Sequence, residues 1–110
     1  MSIPYGRQSI SQEDIDAVVA VMKTDWLTMG PVVSEFEAAI ADLAHTPDAT
    51  VVSSGTSALH CAYAALGVKP GDEVITSPLT FVATAATAMA QGAKVLFADV
   101  AEDTGNIDPA

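Results

Sequence analysis

The residue types best suited to chemistry are concentrated between Ser53 and Ser57, in the stretch Ser-Ser-Gly-Thr-Ser. Four of these residues carry a hydroxyl and the fifth is a glycine; an apolar run precedes them and a helical pattern follows. The first N–H groups of a helix lack a partner inside the helix and lie at the positive end of its dipole. The stretch therefore predicts an anion site, with phosphate as the natural ligand. The alternative is a simple helix cap at Ser54 or Thr56, although a cap needs only one such residue.

A second loop, 77–81, follows the next predicted strand and ends in the aromatic residue Phe81. In an open α/β sheet, ligands bind beyond the carboxyl ends of the strands, where both loops are expected to lie. A phosphorylated, planar cofactor would account for both loops, because its phosphate would occupy the first and its ring could be covered by Phe81. The alternative is that Phe81 folds back onto the core.

Several other kinds of site are excluded by their motifs. The sequence has no GxxxxGK[ST] phosphate loop and no GxGxxG dinucleotide fingerprint. It also lacks a complete GxSxG nucleophile elbow and an SxxK motif, so a serine hydrolase is disfavoured. Neither histidine has metal-site spacing, and the single cysteine, Cys61, allows neither an intrachain disulfide nor a cysteine-based zinc cluster.

The periodicity of apolar residues predicts the elements that must position these loops. Helices are expected from Ser11 as N-cap to about Lys23, and then over 32–44, 56–66 and 81–91. Strands are expected over 50–53, 73–76 and 94–100. In the third helix the inward face is expected to carry Leu59, Ala62, Tyr63 and Leu66. Short apolar strands that alternate with helices indicate a mostly parallel α/β sheet with covered faces.

Composition narrows the function classes. Half of the 110 residues are hydrophobic, which predicts a buried core, and the formal net charge is −10. Such acidity argues against a nucleic-acid or anionic-membrane surface, since both need clustered lysine and arginine. No apolar run approaches the roughly 20 residues of a membrane span, and the first residues do not resemble a signal peptide. A cytoplasmic protein without a metal site is the simplest expectation.

The last residues of the sequence carry a helix-start signal. Asp108 stands at an N-cap position and Pro109 at the first helical position, immediately before the sequence stops. A three-stranded sheet would also leave its edges exposed at this point. The 110 residues are therefore expected to be the N-terminal part of a longer protein.

Five ordered motifs carry a family resemblance across essentially the whole chain. They are IPYGRQSISQEDIDAVVAVM, TDWLTMGP, VSSGTSALH, TSPLTFVATA and FADVAEDTGNIDP. In this order they resemble the N-terminal third of the DegT/StrS sugar-nucleotide aminotransferases. The resemblance implies the N-terminal portion of a fold-type-I pyridoxal phosphate (PLP) enzyme, with two leading helices followed by a βαβαβ segment. Residues 1–48 would form the leader, helices and substrate loop, and 49–110 the start of the sheet of the PLP-binding domain.

The same resemblance implies roles for individual residues. Gly55, Thr56 and Ser57 fall on the motif that holds the cofactor phosphate, and Phe81 falls on the aromatic that stacks on the pyridine ring. The implied sugar-nucleotide contacts are Tyr5, Asp25, Trp26, Leu27, Thr28 and Gly55. The implied reaction moves an amino group, typically from glutamate, to C4 of a UDP-linked 4-keto-6-deoxy sugar of the pseudaminic acid type, in a homodimer.

The sequence departs from the family pattern in its lysines. The family's Schiff-base lysine is expected beyond Ala110, and none of Lys23, Lys69 and Lys94 follows the family's lysine motif. Without that amine the 110 residues alone lack a nucleophile and base for transamination and are expected to be inactive. Two alternatives stay open, namely a PLP-dependent sugar dehydratase and a non-catalytic binding module with a degenerate aminotransferase fold.

Overall fold

The structure is a computed structural model that describes residues 6–109. The chain divides into two compact units, Met1–Val51 and Val52–Ala110. Among residues 6–109, the first unit contains two helices, and the second contains two helices and a two-stranded sheet.

The first unit begins with α1 (Gln12–Met22), whose N-cap is Ser11, as the sequence predicts. The Ser11 hydroxyl accepts the Asp14 N–H at 3.2 Å, and the Asp14 carboxylate accepts the Ser11 N–H at 2.8 Å. This reciprocal capping box provides partners for two backbone donors near the start of the helix.

The second helix of this unit, α2 (Pro31–Ala44), begins one residue earlier than expected. Gly30 is its N-cap, and Pro31 occupies the first turn, where the missing N–H of a proline costs nothing. The helix ends at His45, which adopts a left-handed conformation with φ of 54°. The Glu37 carboxylate then accepts the Val51 N–H at 3.0 Å and so ties the chain after α2 back to that helix.

The second unit contains α3 (Gly55–Ala65), β1 (Glu73–Thr76), α4 (Ala83–Ala90) and β2 (Lys94–Phe97). β1 and β2 pair in parallel, with Glu73 opposite Lys94 and Thr76 opposite Phe97. Because α4 connects these parallel strands, β1, α4 and β2 form one βαβ unit. The parallel α/β arrangement is therefore confirmed, and β1 has the predicted bounds.

The predicted first strand, 50–53, is wrong, because no strand lies there in the described chain. The Val51 N–H binds the Glu37 carboxylate rather than a neighbouring strand, and a strand exists only through such pairing. The expected βαβαβ segment therefore appears as α3 followed by β1, α4 and β2.

Other boundaries also differ from the predicted ones: α3 spans Gly55–Ala65 rather than 56–66, and α4 ends at Ala90 rather than at 91. α4 begins at Ala83 rather than at 81, since the Phe81 carbonyl accepts the Thr84 N–H in a tighter turn before the helix. β2 ends at Phe97 rather than at 100; Val100 instead forms an isolated antiparallel bridge with Ile107 across a turn. The helix expected after Asp108 lies beyond the described residues.

The buried core of the second unit is built from small side chains. Ala83, Thr87, Ala88 and Ala93 are buried, and the Thr87 hydroxyl donates to the Ala83 carbonyl at 2.7 Å. Within residues 6–109 the larger apolar side chains are at best half-buried, as Leu59 and Tyr63 are. Ala62 and Leu66, which were also expected on the inward face of the third helix, are exposed. The core is therefore thin and lies around α4, which packs on both strands.

Among the described residues, no helix combines the length and apolarity required to cross a lipid bilayer.

Candidate functional site

An open cleft of about 610 Å³ lies within the second unit, between the first turns of α3 and the start of α4. Its lining consists of small or apolar side chains and one hydroxyl, from Gly55, Thr56, Ala58, Leu59, Ala62, Phe81 and Ala83. Three of the sequence-predicted cofactor residues therefore line one cavity, although 25 positions separate Thr56 from Phe81.

The N-terminus of α3 is capped and still has free donors. The Ser54 hydroxyl accepts the Ser57 N–H at 3.2 Å, so the cap considered from sequence is present. The hydroxyls of Ser53 and Ser54 lie 3.2 and 3.1 Å from that of Ser57. Within the described chain, the N–H groups of Gly55 and Thr56 have no hydrogen-bond partner. Because the cap uses only the third N–H of the helix, the first two are available to an anion.

Gly55 has no evident structural reason to be a glycine. A Cβ built on Gly55 would meet nothing within 4 Å, and its φ lies outside the left-handed region that favours glycine. The space in front of the residue is open, so a ligand could approach the backbone closely there. An open glycine, two free N–H donors and the neighbouring Thr56 hydroxyl fit a phosphate group.

The second loop places an aromatic face on the same cleft. Phe81 is 71% exposed and lines the cavity, so its ring does not fold into the core. The preceding loop is held by the Ser77 hydroxyl, which accepts the Leu79 N–H at 3.0 Å. A flat, apolar ring that faces open space, in the same cleft as backbone N–H groups that fit a phosphate, fits a phosphorylated aromatic cofactor.

Sequence reasoning missed Phe97 as a neighbour of this region. Phe97 ends β2, is 62% exposed, and lines a smaller pocket of about 230 Å³ together with Phe81 and Ser77. The available signal was its position at the carboxyl end of a parallel strand, but the predicted strand continued to residue 100 and concealed it.

The predicted sugar-nucleotide contacts belong to other parts of the chain. Asp25, Trp26, Leu27 and Thr28 lie in the loop between α1 and α2, where Trp26 and Leu27 are each 66% exposed. Tyr5 falls outside the described residues. Gly55, which was also expected to contact substrate, belongs to the second unit.

The cleft contains no amine that could hold a carbonyl cofactor covalently. No lysine lines it, and Lys94 instead forms an exposed ion pair with Glu73 at 2.8 Å. In the part of the chain that the structure describes, no cluster of three or more histidine, cysteine or acidic residues could hold a metal ion. The described residues therefore offer means to bind and position a cofactor, but not the base for its chemistry.

Known proteins are similar to this chain in both sequence and fold. A UDP-4-amino-4,6-dideoxy-N-acetyl-β-L-altrosamine transaminase of Campylobacter jejuni is 50% identical over 106 residues, which cover 96% of this chain and 28% of that protein. The solved structure of Helicobacter pylori PseC, an aminotransferase of pseudaminic acid biosynthesis, matches with a TM-score of 0.85 and 34% identity, covering 96% of this chain and 29% of that one. NtdA of Bacillus subtilis, solved with bound cofactor PMP, matches with a TM-score of 0.78 and 34% identity, covering 86% and 22%.

The extent of these matches is consistent with the expected fold class. The chain spans little more than a quarter of the length of such relatives and corresponds to the N-terminal part of fold-type-I sugar aminotransferases. Residues 8–110 match the DegT/DnrJ/EryC1/StrS aminotransferase family. The chain therefore belongs to the DegT/DnrJ/EryC1/StrS aminotransferase family.

Proposed function

We propose that the protein carrying this sequence is a PLP-dependent aminotransferase. It moves an amino group, from glutamate, to C4 of a UDP-linked 4-keto-6-deoxy amino sugar of the pseudaminic acid type. The similarity to the Campylobacter altrosamine transaminase and to Helicobacter PseC supports this substrate class. In this proposal residues 1–110 belong to the PLP-binding domain of a cytoplasmic homodimer, and the catalytic lysine comes from sequence beyond them.

The observation that carries the proposal is the cleft of the second unit. There Gly55 and Thr56, whose N–H groups have no partner in the described chain, line one cavity with Phe81, which is exposed. The two N–H groups and the Thr56 hydroxyl bind the phosphate, Ser57 adds its hydroxyl, and Phe81 covers the pyridine ring. The bound cofactor supplies the electron sink for amino transfer, while the protein supplies position and electrostatics.

The substrate side of the proposal uses the loop of the first unit. Asp25, Trp26, Leu27 and Thr28 contact the sugar nucleotide, together with Tyr5. Two exposed apolar side chains beside a carboxylate suit a sugar ring better than a diphosphate, because Asp25 repels phosphate charge.

The direct test uses the whole reading frame that contains these residues. Its product is expected to bind PLP with a visible absorbance band, and to convert the UDP-linked 4-keto sugar and glutamate into the UDP-linked 4-amino sugar, detected by mass spectrometry. A folded product that binds no PLP would overturn the proposal and favour a non-catalytic module. Bound PLP with dehydration of the sugar in place of amination would identify a dehydratase.

A sharper test of the phosphate site is Gly55→Ala. Because a Cβ there meets no protein atom, the free energy of unfolding should stay the same or increase by about 0.5 kcal/mol. The added methyl group obstructs the close approach of phosphate, so the dissociation constant for PLP should rise about tenfold. Inorganic phosphate should compete with PLP in the wild type and compete less well in the variant. A variant that binds PLP as the wild type does would remove Gly55 from the site.

A further inference from the structure

One side chain joins the end of α1 to the backbone of Trp26. The Thr24 hydroxyl lies 2.8 Å from the Val21 carbonyl and 3.2 Å from the Trp26 carbonyl, either of which can accept its proton. It also accepts the Trp26 N–H at 3.4 Å. The last turn of the helix and the start of the loop are thereby connected through a single oxygen atom.

The other end of the loop closes against the same residue. A Cβ built on Gly30 would lie 3.0 Å from the Trp26 carbonyl oxygen and 3.1 Å from the Trp26 Cβ, closer than ordinary contact. The loop also places Met29 at a φ of 52°, in the left-handed region that costs a side-chain-bearing residue about 1 kcal/mol. The closure therefore depends on the Thr24 hydroxyl, on the absence of a side chain at Gly30 and on a strained residue between them.

This closed loop directs its apolar side chains outward. Trp26, Leu27 and Met29 are 66%, 66% and 87% exposed. Within the described residues, no burial of these side chains accounts for a loop that accepts backbone strain. Its conformation is instead maintained by the contacts at Thr24 and Gly30.

We propose that Thr24 and Gly30 are positioning residues for substrate binding, because they hold the loop in the conformation that presents Trp26 and Leu27. This inference rests on the proposed function, in which residues 25–28 contact the sugar nucleotide. Neither Thr24 nor Gly30 contacts substrate in it; each acts through the backbone of Trp26.

The test compares Thr24→Val, Thr24→Ser and Gly30→Ala in the PLP-loaded enzyme. Thr24→Val and Gly30→Ala should raise KM for the UDP-linked 4-keto sugar about three- to tenfold. The half-reaction with glutamate, which involves no sugar, should keep its rate within about twofold, and so should the PLP absorbance. Thr24→Ser keeps the hydroxyl and should restore the wild-type KM.

A matched control is Thr46→Val. The Thr46 hydroxyl also donates a hydrogen bond to a carbonyl two residues later, that of Asp48, at 3.0 Å. Thr46, however, follows α2 and not α1. Its loss should leave KM for the sugar unchanged. Hydrogen–deuterium exchange in peptides that cover residues 22–30 should become faster in Thr24→Val and not in Thr46→Val, whichever reaction the protein catalyses.

The outcomes separate the two proposals. A wild-type protein that binds no PLP or transfers no amine refutes the proposed function, and the exchange measurement alone then tests the closure of the loop. In an active enzyme, an unchanged KM in both Thr24→Val and Gly30→Ala overturns the positioning role. Equal loss of rate in the half-reactions with glutamate and with the sugar overturns it as well, since the residues would then stabilise the fold and not position the substrate loop.

Discussion

The two compact units of this chain arrange their candidate site residues by different means. In Met1–Val51 the loop that carries Trp26 is held by contacts between residues two to four positions apart, through Thr24 and Gly30. In Val52–Ala110 the cleft depends on contacts between distant residues. The Tyr63 hydroxyl, for example, donates to the Thr84 carbonyl across 21 positions at 3.3 Å.

This difference is matched by where each unit buries its side chains. Among the described residues of the first unit only Ala41 is buried, whereas the second buries Ala83, Thr87, Ala88 and Ala93 around α4. Small residues allow α4 to approach both α3 and the sheet closely, and α4 then holds Phe81 at the cleft. A site formed by distant contacts is sensitive to packing, and a site formed by local contacts is sensitive to individual hydrogen bonds.

The largest expected effect follows from enlarging the core of the second unit. Ala88 is fully buried in α4, so Ala88→Leu forces three extra carbon atoms into close-packed space. We expect the free energy of unfolding to fall by about 1–3 kcal/mol and PLP affinity to fall with it, because α3 and α4 can no longer form the cleft. Urea unfolding and PLP titration of the whole protein measure both quantities.

The control for that variant lies in the same helix. Ala90 is exposed, so Ala90→Leu adds the same atoms without overpacking and should change the free energy of unfolding by less than about 0.5 kcal/mol. Equal effects at positions 88 and 90 would mean that packing at α4 does not hold the cleft together.

A smaller effect is expected when the cleft loses its aromatic face but keeps its core. Phe81 is 71% exposed, so Phe81→Leu should leave the stability nearly unchanged while weakening PLP about three- to tenfold through lost ring stacking. Phe36, which is 54% exposed on α2, provides the matched control, and Phe36→Leu should leave PLP affinity unchanged. If both variants bind PLP equally well, Phe81 does not cover the ring.

Local structure was the part of the fold that could be predicted from sequence. The Ser11 cap follows from residues that are neighbours in the chain, and the predicted bounds of β1 were correct because β2 lies beside that run. The strand expected over 50–53 failed because an apolar run becomes a strand only when another strand lies beside it. Likewise the start of α4 depends on the turn formed by Phe81 and Thr84, which the alanine-rich pattern does not reveal.

The sequence predicted that Gly55 and Phe81 lie near each other, but the reason for their proximity differs from the expected one. Gly55 and Phe81 were expected near each other because both would follow parallel strands. They do line one cleft, yet no strand precedes Gly55 in the described chain, and the packing of α3 on α4 brings them together. Their roles toward PLP stay predictions. The contacts of Thr24 were not predictable, since a hydroxyl within hydrogen-bond distance of three backbone atoms depends on how the loop folds back.

The smallest expected effect concerns the capping box of the first unit. This local contact is not part of the cleft, and it should weaken at low pH. The Ser11 backbone N–H, and then its hydroxyl, lower the pKa of Asp14 from its ordinary value of 3.8. A carboxylate whose pKa is lower in the folded protein than in the unfolded chain stabilises the folded protein. This contribution is complete above the pKa of the unfolded chain, and it is lost as pH falls through the pKa of the folded protein. The start of α1 should therefore weaken only below about pH 3.8, the ordinary pKa of this group.

Ser11→Ala and Asp14→Asn separate the two halves of that contact. Ser11→Ala removes the hydroxyl and should raise the pKa of Asp14 toward 3.8, as followed by carboxyl NMR titration, while the Ser11 N–H contact can persist at the new alanine. Asp14→Asn should abolish the acid response of the amides in the first turn of α1. Since the cap lies in Met1–Val51, PLP affinity at neutral pH should not change in either variant. A loss of PLP affinity as large as that of Ala88→Leu would show that the two units do not act by separate means, because a purely local contact would then control the cleft.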